Sequence, residues 1–322
     1  MMKKFLLSMM ALGCMMAAQG QNDVVTATLQ HGNELTVFKM ANALNEAINA
    51  AVDGDVITLS EGTFNAFTID GKSLTIYGAG FENDDITGTR VTQINGASYI
   101  QGTISNIHIE GCSFGVTVRN CNIESLRIQN CKTGGVGWSN SGTVLDMMLY
   151  NNVITGDIYG SPNYQFNSVQ INNCYVGGKI KNFPDLSPVM IDHCVLNNNG
   201  YGIYYYSNSI FSRNDIYILQ AETVVKNCIF YADRSFYAIN QENCYFNIGS
   251  GIFTDGDGGA YSADRTFEIQ QPDVWIGTDG TQIGLHGGQG WSKVPRIPVI
   301  RSLGLNVEGQ TLKINYEAEV RE

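Results

Sequence analysis

Residues 169–178 read Val-Gln-Ile-Asn-Asn-Cys-Tyr-Val-Gly-Gly, and the placing of Cys174 behind Asn173 decides how the chain is read. The same pair recurs at Asn120–Cys121, Asn130–Cys131, Asn227–Cys228 and Asn243–Cys244, with a near-copy at His193–Cys194. Aligned on the cysteine, the key positions are Cys112, Cys121, Cys131, Asn152, Cys174, Cys194, Asp215, Cys228 and Cys244. From Cys131 to Asp215 the spacings are 21, 22, 20 and 21, and Cys112 to Cys131 is 19. That period suits one coil of a parallel β-solenoid. The spacings of 13 and 16 after Asp215 break it.

The columns around the key position alternate. Three residues before it stand Ile109, Val118, Ile128, Leu149, Ile171, Ile191 and Val225, with Ser212 and Gln241 as exceptions. Two before stand polar residues, among them Glu110, Arg119, Asn172, Asp192, Arg213 and Lys226. Two after stand Phe114, Ile123, Ile154, Val176, Leu196, Phe230 and Phe246, with Thr133 and Tyr217 less apolar. Period-2 alternation is the mark of strands with one face buried. The residue just before the key position is almost always Asn, which enters the left-handed region at low cost and so suits a tight bend. Stacked coils set one Asn over the next, where their amides can bond along the stack.

The cysteine is then the small apolar residue that turns inward after the bend. Stacked strands lie about 4.8 Å apart, which exceeds the ~3.8 Å between the Cβ atoms of a disulfide. Seven cysteines also remain once the leader is set aside, an odd number. They are read as mostly free, buried thiols. A zinc site is not expected, because no C-x-x-C occurs.

The first residues, Met1 to Gln21, carry Lys3 and Lys4, an uncharged apolar run and Ala18-Gln19-Gly20. This pattern predicts a secretory signal peptide over 1–20. Ala11-Leu12-Gly13-Cys14 loosely resembles a lipobox, which leaves lipid anchoring through Cys14 as an alternative. Removing Lys3 and Lys4 takes the formal charge from −11 to −13. Such a balance argues against nucleic acid, whose phosphates demand a basic face. No other apolar run is long enough to span a membrane.

Upstream of the repeats, Leu44, Ala47, Ile48 and Ala51 share one helical face, and Gly54-Asp55 precedes a strand. Glu61-Gly62-Thr63-Phe64 and Lys72-Ser73-Leu74-Thr75-Ile76, leading to Gly78-Ala79-Gly80, complete the pattern. This arrangement resembles the N-terminal cap and first coils of the pectate-lyase-like right-handed parallel β-helix superfamily, over roughly residues 35–262. With its leader and tail, the whole chain resembles secreted β-helix proteins of Bacteroidetes. The resemblance implies an all-β, single-stranded right-handed solenoid over 21–290, with a capping helix near 39–52. Residues 291–322 read as a C-terminal β-hairpin or cap, and Thr278–Pro298 as a possible last coil and linker.

Enzymes of that superfamily act on acidic polysaccharides. The Asn-Thr-Asp, Gly-Asp-Asp, Gly-His-Gly and Arg-Ile-Lys motifs of its hydrolases are absent here, with Asp84-Asp85 and Gly178-Lys179-Ile180-Lys181 the nearest fragments. Asp192 and Arg213 share an outward column, so Asp192, Arg213 and Lys179 are the catalytic candidates, against the plainer reading of an exposed ion pair. Asp255-Gly256-Asp257-Gly258-Gly259 offers oxygens to Ca2+, against the plainer reading of a turn. No other metal or cofactor is expected. Tyr201, Tyr204, Tyr205 and Tyr206 lie beside an Asn-rich loop. Tyr204 and Tyr206 share a strand face, and with Tyr201 and Arg213 they are the ligand-binding candidates, since exposed aromatic faces stack on sugar rings. Packing of these tyrosines between coils is the equal alternative.

The sequence therefore predicts a secreted, periplasmic or surface-held monomer that binds polysaccharide or glycan without chemistry. A polysaccharide lyase or glycoside hydrolase, and a structural or adhesive spacer, are the other classes left open.

Overall fold

The structure, a computed structural model, describes residues 24–83, 90–185, 187–198, 200–202, 204–213, 222–232, 240–256, 261–294, 298–308 and 311–320. The leader with Cys14, Asp84-Asp85, Asn214-Asp215, Tyr217 and Asp257-Gly258-Gly259 lie outside the described residues. The class is all-β, with 51% strand and 3% helix. About eight coils stack with parallel pairing. Val153 sits between Lys132 and Tyr175, and Val195 sits between Tyr175 and Ile210. No described helix is long and apolar enough to cross a membrane.

One corner of every coil is made by a single residue of positive φ. It is Gly111 (71°), Asn130 (46°), Asn151 (57°), Asn173 (49°), His193 (50°), Asn208 (48°), Asn227 (48°) and Asn243 (51°). Each is followed by the small inward residue predicted from the cysteines. All seven cysteines from Cys112 onward are free, and only Cys244 is not buried.

The stack corrects the alignment in one coil. Ile210 and Phe211 pair with Val195 and Leu196 on one side and with Ile229 and Phe230 on the other. The key position of this coil is therefore Ser209, not Asp215. The coil is simply shorter, 15 residues from Cys194 to Ser209 and then 19 to Cys228. Serine serves because its Oγ does what a cysteine sulfur does elsewhere. It accepts from Cys194 N–H at 3.0 Å and donates to Ser207 O at 2.7 Å. The corrected columns lose two of their four exceptions: Tyr206 takes the inward place given to Ser212, and Phe211 the place given to Tyr217, while Thr133 and Gln241 remain. Phe211, Phe230 and Phe246 stack coil over coil, with centroids 4.4 and 5.0 Å apart. Cys121 belongs to a different corner, in register with Gly102 and Gly142.

The N-terminal end is covered as expected. Helix α1 (Ala43–Ala50) buries Ala43, Leu44, Ala47 and Ile48 against the first coils, which hides a sheet end that would otherwise be open. At the other terminus, Pro298–Glu308 and Thr311–Val320 pair as an antiparallel hairpin.

The segment before that hairpin is not a last coil. It runs lengthwise across the corners, in the direction opposite to the coil order, as a strap. Asn227 Nδ2 donates to Ile276 O at 3.0 Å, and Thr278 N–H to Asn208 Oδ1 at 2.8 Å. Asn173 Nδ2 donates to Leu285 O and Gly287 O, both at 2.8 Å. Asn151 and Ser292 exchange two bonds, at 2.7 and 2.9 Å. Among the described residues the expected amide-to-amide ladder survives only from Asn151 to Asn130; at Asn173, Asn208 and Asn227 strap backbone meets the amides instead. Beneath the strap, the outward residues one after the key position, Val153, Tyr175, Val195, Ile210 and Ile229, join Phe253, Phe267, Trp275 and Leu285 in a second apolar core. Glu82 pins the strap's edge: Tyr261 Oη donates to it at 2.6 Å, and the ammonium groups of Lys132 and Lys293 each lie 3.3 Å away.

Asn173 thus serves the bend and the strap at once, and two substitutions separate these roles. Asn173→Gly keeps the bend and loses two strap bonds, an expected loss of about 1–2 kcal/mol. Asn173→Ala adds the left-handed penalty, about 1–2 kcal/mol more. Urea unfolding of both beside the wild type measures the difference, and equal losses would refute the backbone role.

Candidate binding face

After its key position each strand runs to a second bend, and its alternate residues point outward. Registers place Thr68, Tyr99, Thr117, Gly137, Tyr159 and Lys181 in one outward column, one residue per coil, and the backbone of Tyr201 registers with Lys181. Beside it run Asp70, Gln101, Arg119 and Ser139. On its other side lie Ala97 and Gly115, then Gly134.

The lower end of this face is rigidly built. The Arg119 guanidinium lies 3.7 Å from the centroid of Tyr99. Its Nε donates to Gln101 Oε1 at 3.0 Å, and Gln101 Nε2 donates to Asp70 Oδ2 at 2.9 Å. Stacking and hydrogen bonding together fix the plane of the guanidinium. Its terminal nitrogens take no partner among the described residues.

The upper end carries Tyr159, 41% exposed. Lys181 Nζ lies 5.3 Å from that ring's centroid and 2.6 Å from Asp157 Oδ2. Asp157 Oδ1 accepts from the backbone N–H of Lys179 at 2.7 Å. Partial burial works against ionisation of Asp157, but the Lys181 ammonium and the Lys179 N–H outweigh it and lower its pKa. Asp157 is therefore a fixed anion paired to a cation, not a proton donor.

Between the two ends the column holds only the small Thr117 and then Gly137, with Gly115 and Gly134 beside them. Gly137 has no positive φ, and a Cβ there would meet nothing closer than 4.0 Å. Gly115 and Gly134 would meet nothing within 4 Å. Neither backbone strain nor packing requires glycine at these positions. Their effect is a floor of peptide groups with an aromatic ring at each end. Gly156 is the contrasting case, because its Cβ would sit 1.8 Å from Gly134 O.

Sequence candidates are redistributed by this geometry. Lys179 belongs to the face, and the backbone of Tyr201 registers with Lys181. Tyr204 and Tyr206 do not line a surface: they are 2% and 1% exposed, because they fill the inward columns of Val189 and Ile191. Tyr205 points out instead, on another side of the coil beside Met190. Asp192 and Arg213 are not column neighbours, since Asp192 registers with Ser207. The Asp192 carboxylate accepts from Ser207 Oγ at 2.7 Å and Asn208 Nδ2 at 2.9 Å. Its neighbour His193 is buried under the strap, with Nε2 3.1 Å from Asp279 Oδ2. Asp255 accepts from Arg265 Nη2 at 3.0 Å and from the N–H groups of Thr266 and Phe267 at 2.7 and 3.2 Å. Those donors take up the Asp255 oxygens, while the rest of the loop offered to Ca2+, Asp257-Gly258-Gly259, lies outside the described residues.

Tyr99, Arg119, Tyr159 and Lys181 were not singled out from the sequence. The available signal was glycine at outward positions 115, 134 and 137, where strand alternation expects a polar side chain. No protein-family model matches the chain, and no curated protein or solved structure matches it significantly.

Two glycines on adjacent coils should respond oppositely to substitution. Gly137→Leu is expected to keep the unfolding free energy from urea titration within about 0.5 kcal/mol of wild type. Gly156→Ala, forced against a carbonyl, should cost about 1–3 kcal/mol. A comparable loss at Gly137 would give that glycine a structural purpose and remove the argument for an open floor.

Proposed function

We propose that this chain is a secreted or envelope-held glycan-binding protein that lays a saccharide chain along the bare-floored face without cleaving it. The observation that carries this reading is the glycine floor between Tyr99–Arg119 and Tyr159–Lys181. Aromatic faces offer apolar contact to the C–H surface of sugar rings, and guanidinium, ammonium and carboxylate groups offer hydrogen bonds to hydroxyls. Three strand separations divide the two tyrosines, about 14 Å, room for more than one sugar unit. The leader-like Met1–Gly20 supports export. The coil pattern supports a right-handed β-helix of the pectate-lyase-like kind, similar to secreted Bacteroidetes proteins.

The carboxylates on this face support binding over hydrolysis. A hydrolase needs one protonated and one ionised carboxyl flanking the scissile bond. Asp157 is held as an ion-paired anion and so is not set up as the donor.

The test is a glycan array carrying pectic, alginate, glycosaminoglycan and mucin glycans, probed with the mature chain. Unsaturated-uronate absorbance and reducing ends are followed in the same wells. Retention without turnover is expected, falling at least tenfold in Tyr159→Ala, Arg119→Ala and Gly137→Leu. Growth of either signal over time would replace binding with catalysis. No retention, or retention unaffected by the three variants, would remove this face as the site.

A further inference from the structure

The two ends of the glycine-floored face differ in kind. At the lower end the Arg119 guanidinium lies 3.7 Å from the Tyr99 ring centroid, so that ring serves as a platform for a cation. At the upper end Tyr159 is 41% exposed, and Lys181 Nζ stands off at 5.3 Å from its centroid. Only the upper ring offers an open aromatic face.

The donors of Arg119 are divided. A guanidinium carries five N–H groups in one plane. The Nε–H is given to Gln101 Oε1 at 3.0 Å, and the four on the two Nη atoms take no partner among the described residues. They leave the end-on edge of the fork, which matches two oxygens of one carboxylate or sulfate. Gln101 fixes the direction of that edge. Its Nε2 donates to Asp70 Oδ2 at 2.9 Å, which turns its Oε1 to Arg119. The opposite orientation would set N–H against N–H and oxygen against carboxylate. Because Gln101 is neutral, Arg119 keeps its whole charge.

The rest of the face opposes further anions. Lys181 Nζ is 2.6 Å from Asp157 Oδ2, so its charge is already paired. Asp70 and Asp157 set a carboxylate at each end of the face. The column between them, Thr117 and Gly137, is uncharged. A saccharide charged at every unit would meet both carboxylates and a chain of formal charge −11.

We propose that Arg119 anchors a single oxyanion substituent, carboxylate or sulfate, on an otherwise uncharged saccharide, with Gln101 as its positioning residue. This inference rests on the glycan-binding reading of the face. It gives the bound chain a direction. The charged unit sits at the Arg119 coil, and neutral units run two strand separations, about 10 Å, to stack on Tyr159.

The test sets each neutral oligosaccharide of an array beside the same oligosaccharide bearing one uronate and the same bearing one sulfate ester. Oligouronates charged at every unit are the fourth member. The mature chain should hold a singly charged form about tenfold more tightly than its neutral parent and than the oligouronate. The form held more tightly, uronate or sulfate ester, identifies the oxyanion. Arg119→Gln should erase the preference and leave binding of the neutral parent unchanged. Gln101→Glu, by pairing with Arg119, should erase it too, and Gln101→Ala should reduce it. Tyr159→Ala should weaken charged and neutral forms alike. Urea unfolding of each variant checks that the fold is kept, and the wild-type comparison does not depend on any variant. Equal retention of charged and neutral forms, or tighter retention of the oligouronate, would overturn the anchor and leave the glycan reading standing. So would a preference that survives Arg119→Gln but disappears in Lys179→Gln. A preference unchanged in both Gln101 variants would overturn the positioning role. No retention of any member would overturn the glycan reading itself, and this inference with it.

Discussion

Every coil turns its first corner on one residue with a left-handed backbone, and the rest of the molecule is arranged around that requirement. Most side chains pay about 1–2 kcal/mol for such a conformation. Glycine escapes the cost but leaves nothing to bond with, whereas asparagine tolerates the conformation and projects an amide. Asn151, Asn173, Asn208 and Asn227 each use that group on the strap. One residue type therefore shapes the coil and fastens the element that crosses it. His193 shows the same double use with an imidazole, bonded to strap residues at both ring nitrogens.

The strap in turn explains an irregularity in the outward columns. A residue one place after the key position faces away from the solenoid core and should be polar. Ser113 and Lys132 are polar, but Val153, Tyr175, Val195, Ile210 and Ile229 are apolar. Left exposed they would form a long apolar stripe, the kind of surface that associates. The strap converts that stripe into a second core. Covering one side of the coils in this way leaves the Tyr99–Tyr159 face for other uses.

What could be read from the sequence was what repeats locally. The bend, the inward cysteines, the free thiols and α1 all depend on residues within one coil of each other. The coil holding Ser209 was misread because a fixed period was carried through a shortened coil. That slip set Asp192 beside Arg213 and left Tyr206 out of the inward column it fills, so packing and exposure of Tyr204 and Tyr206 stayed equal alternatives. The strap was illegible for another reason: Asn151 meets Ser292 across 141 residues, and nothing periodic links the two segments. Lys179 was found because it carries a charge. Gly137 was overlooked because its contribution is the side chain it lacks.

Repetition also governs where activity can reside. In a solenoid each column gives every coil nearly the same environment, so a column of like residues reports structure alone. Sites arise where a column departs from its own rule. Asn152 and Ser209 depart in chemistry yet remain bonded along the column, so they are structural. Gly137 departs by removing a side chain that the backbone and the packing would both accept, which leaves access to the sheet as its remaining consequence. Cys244 keeps its column's chemistry but loses the coil that should cover it. Gln241, exposed although it registers with the inward Val225, marks the point where burial ends.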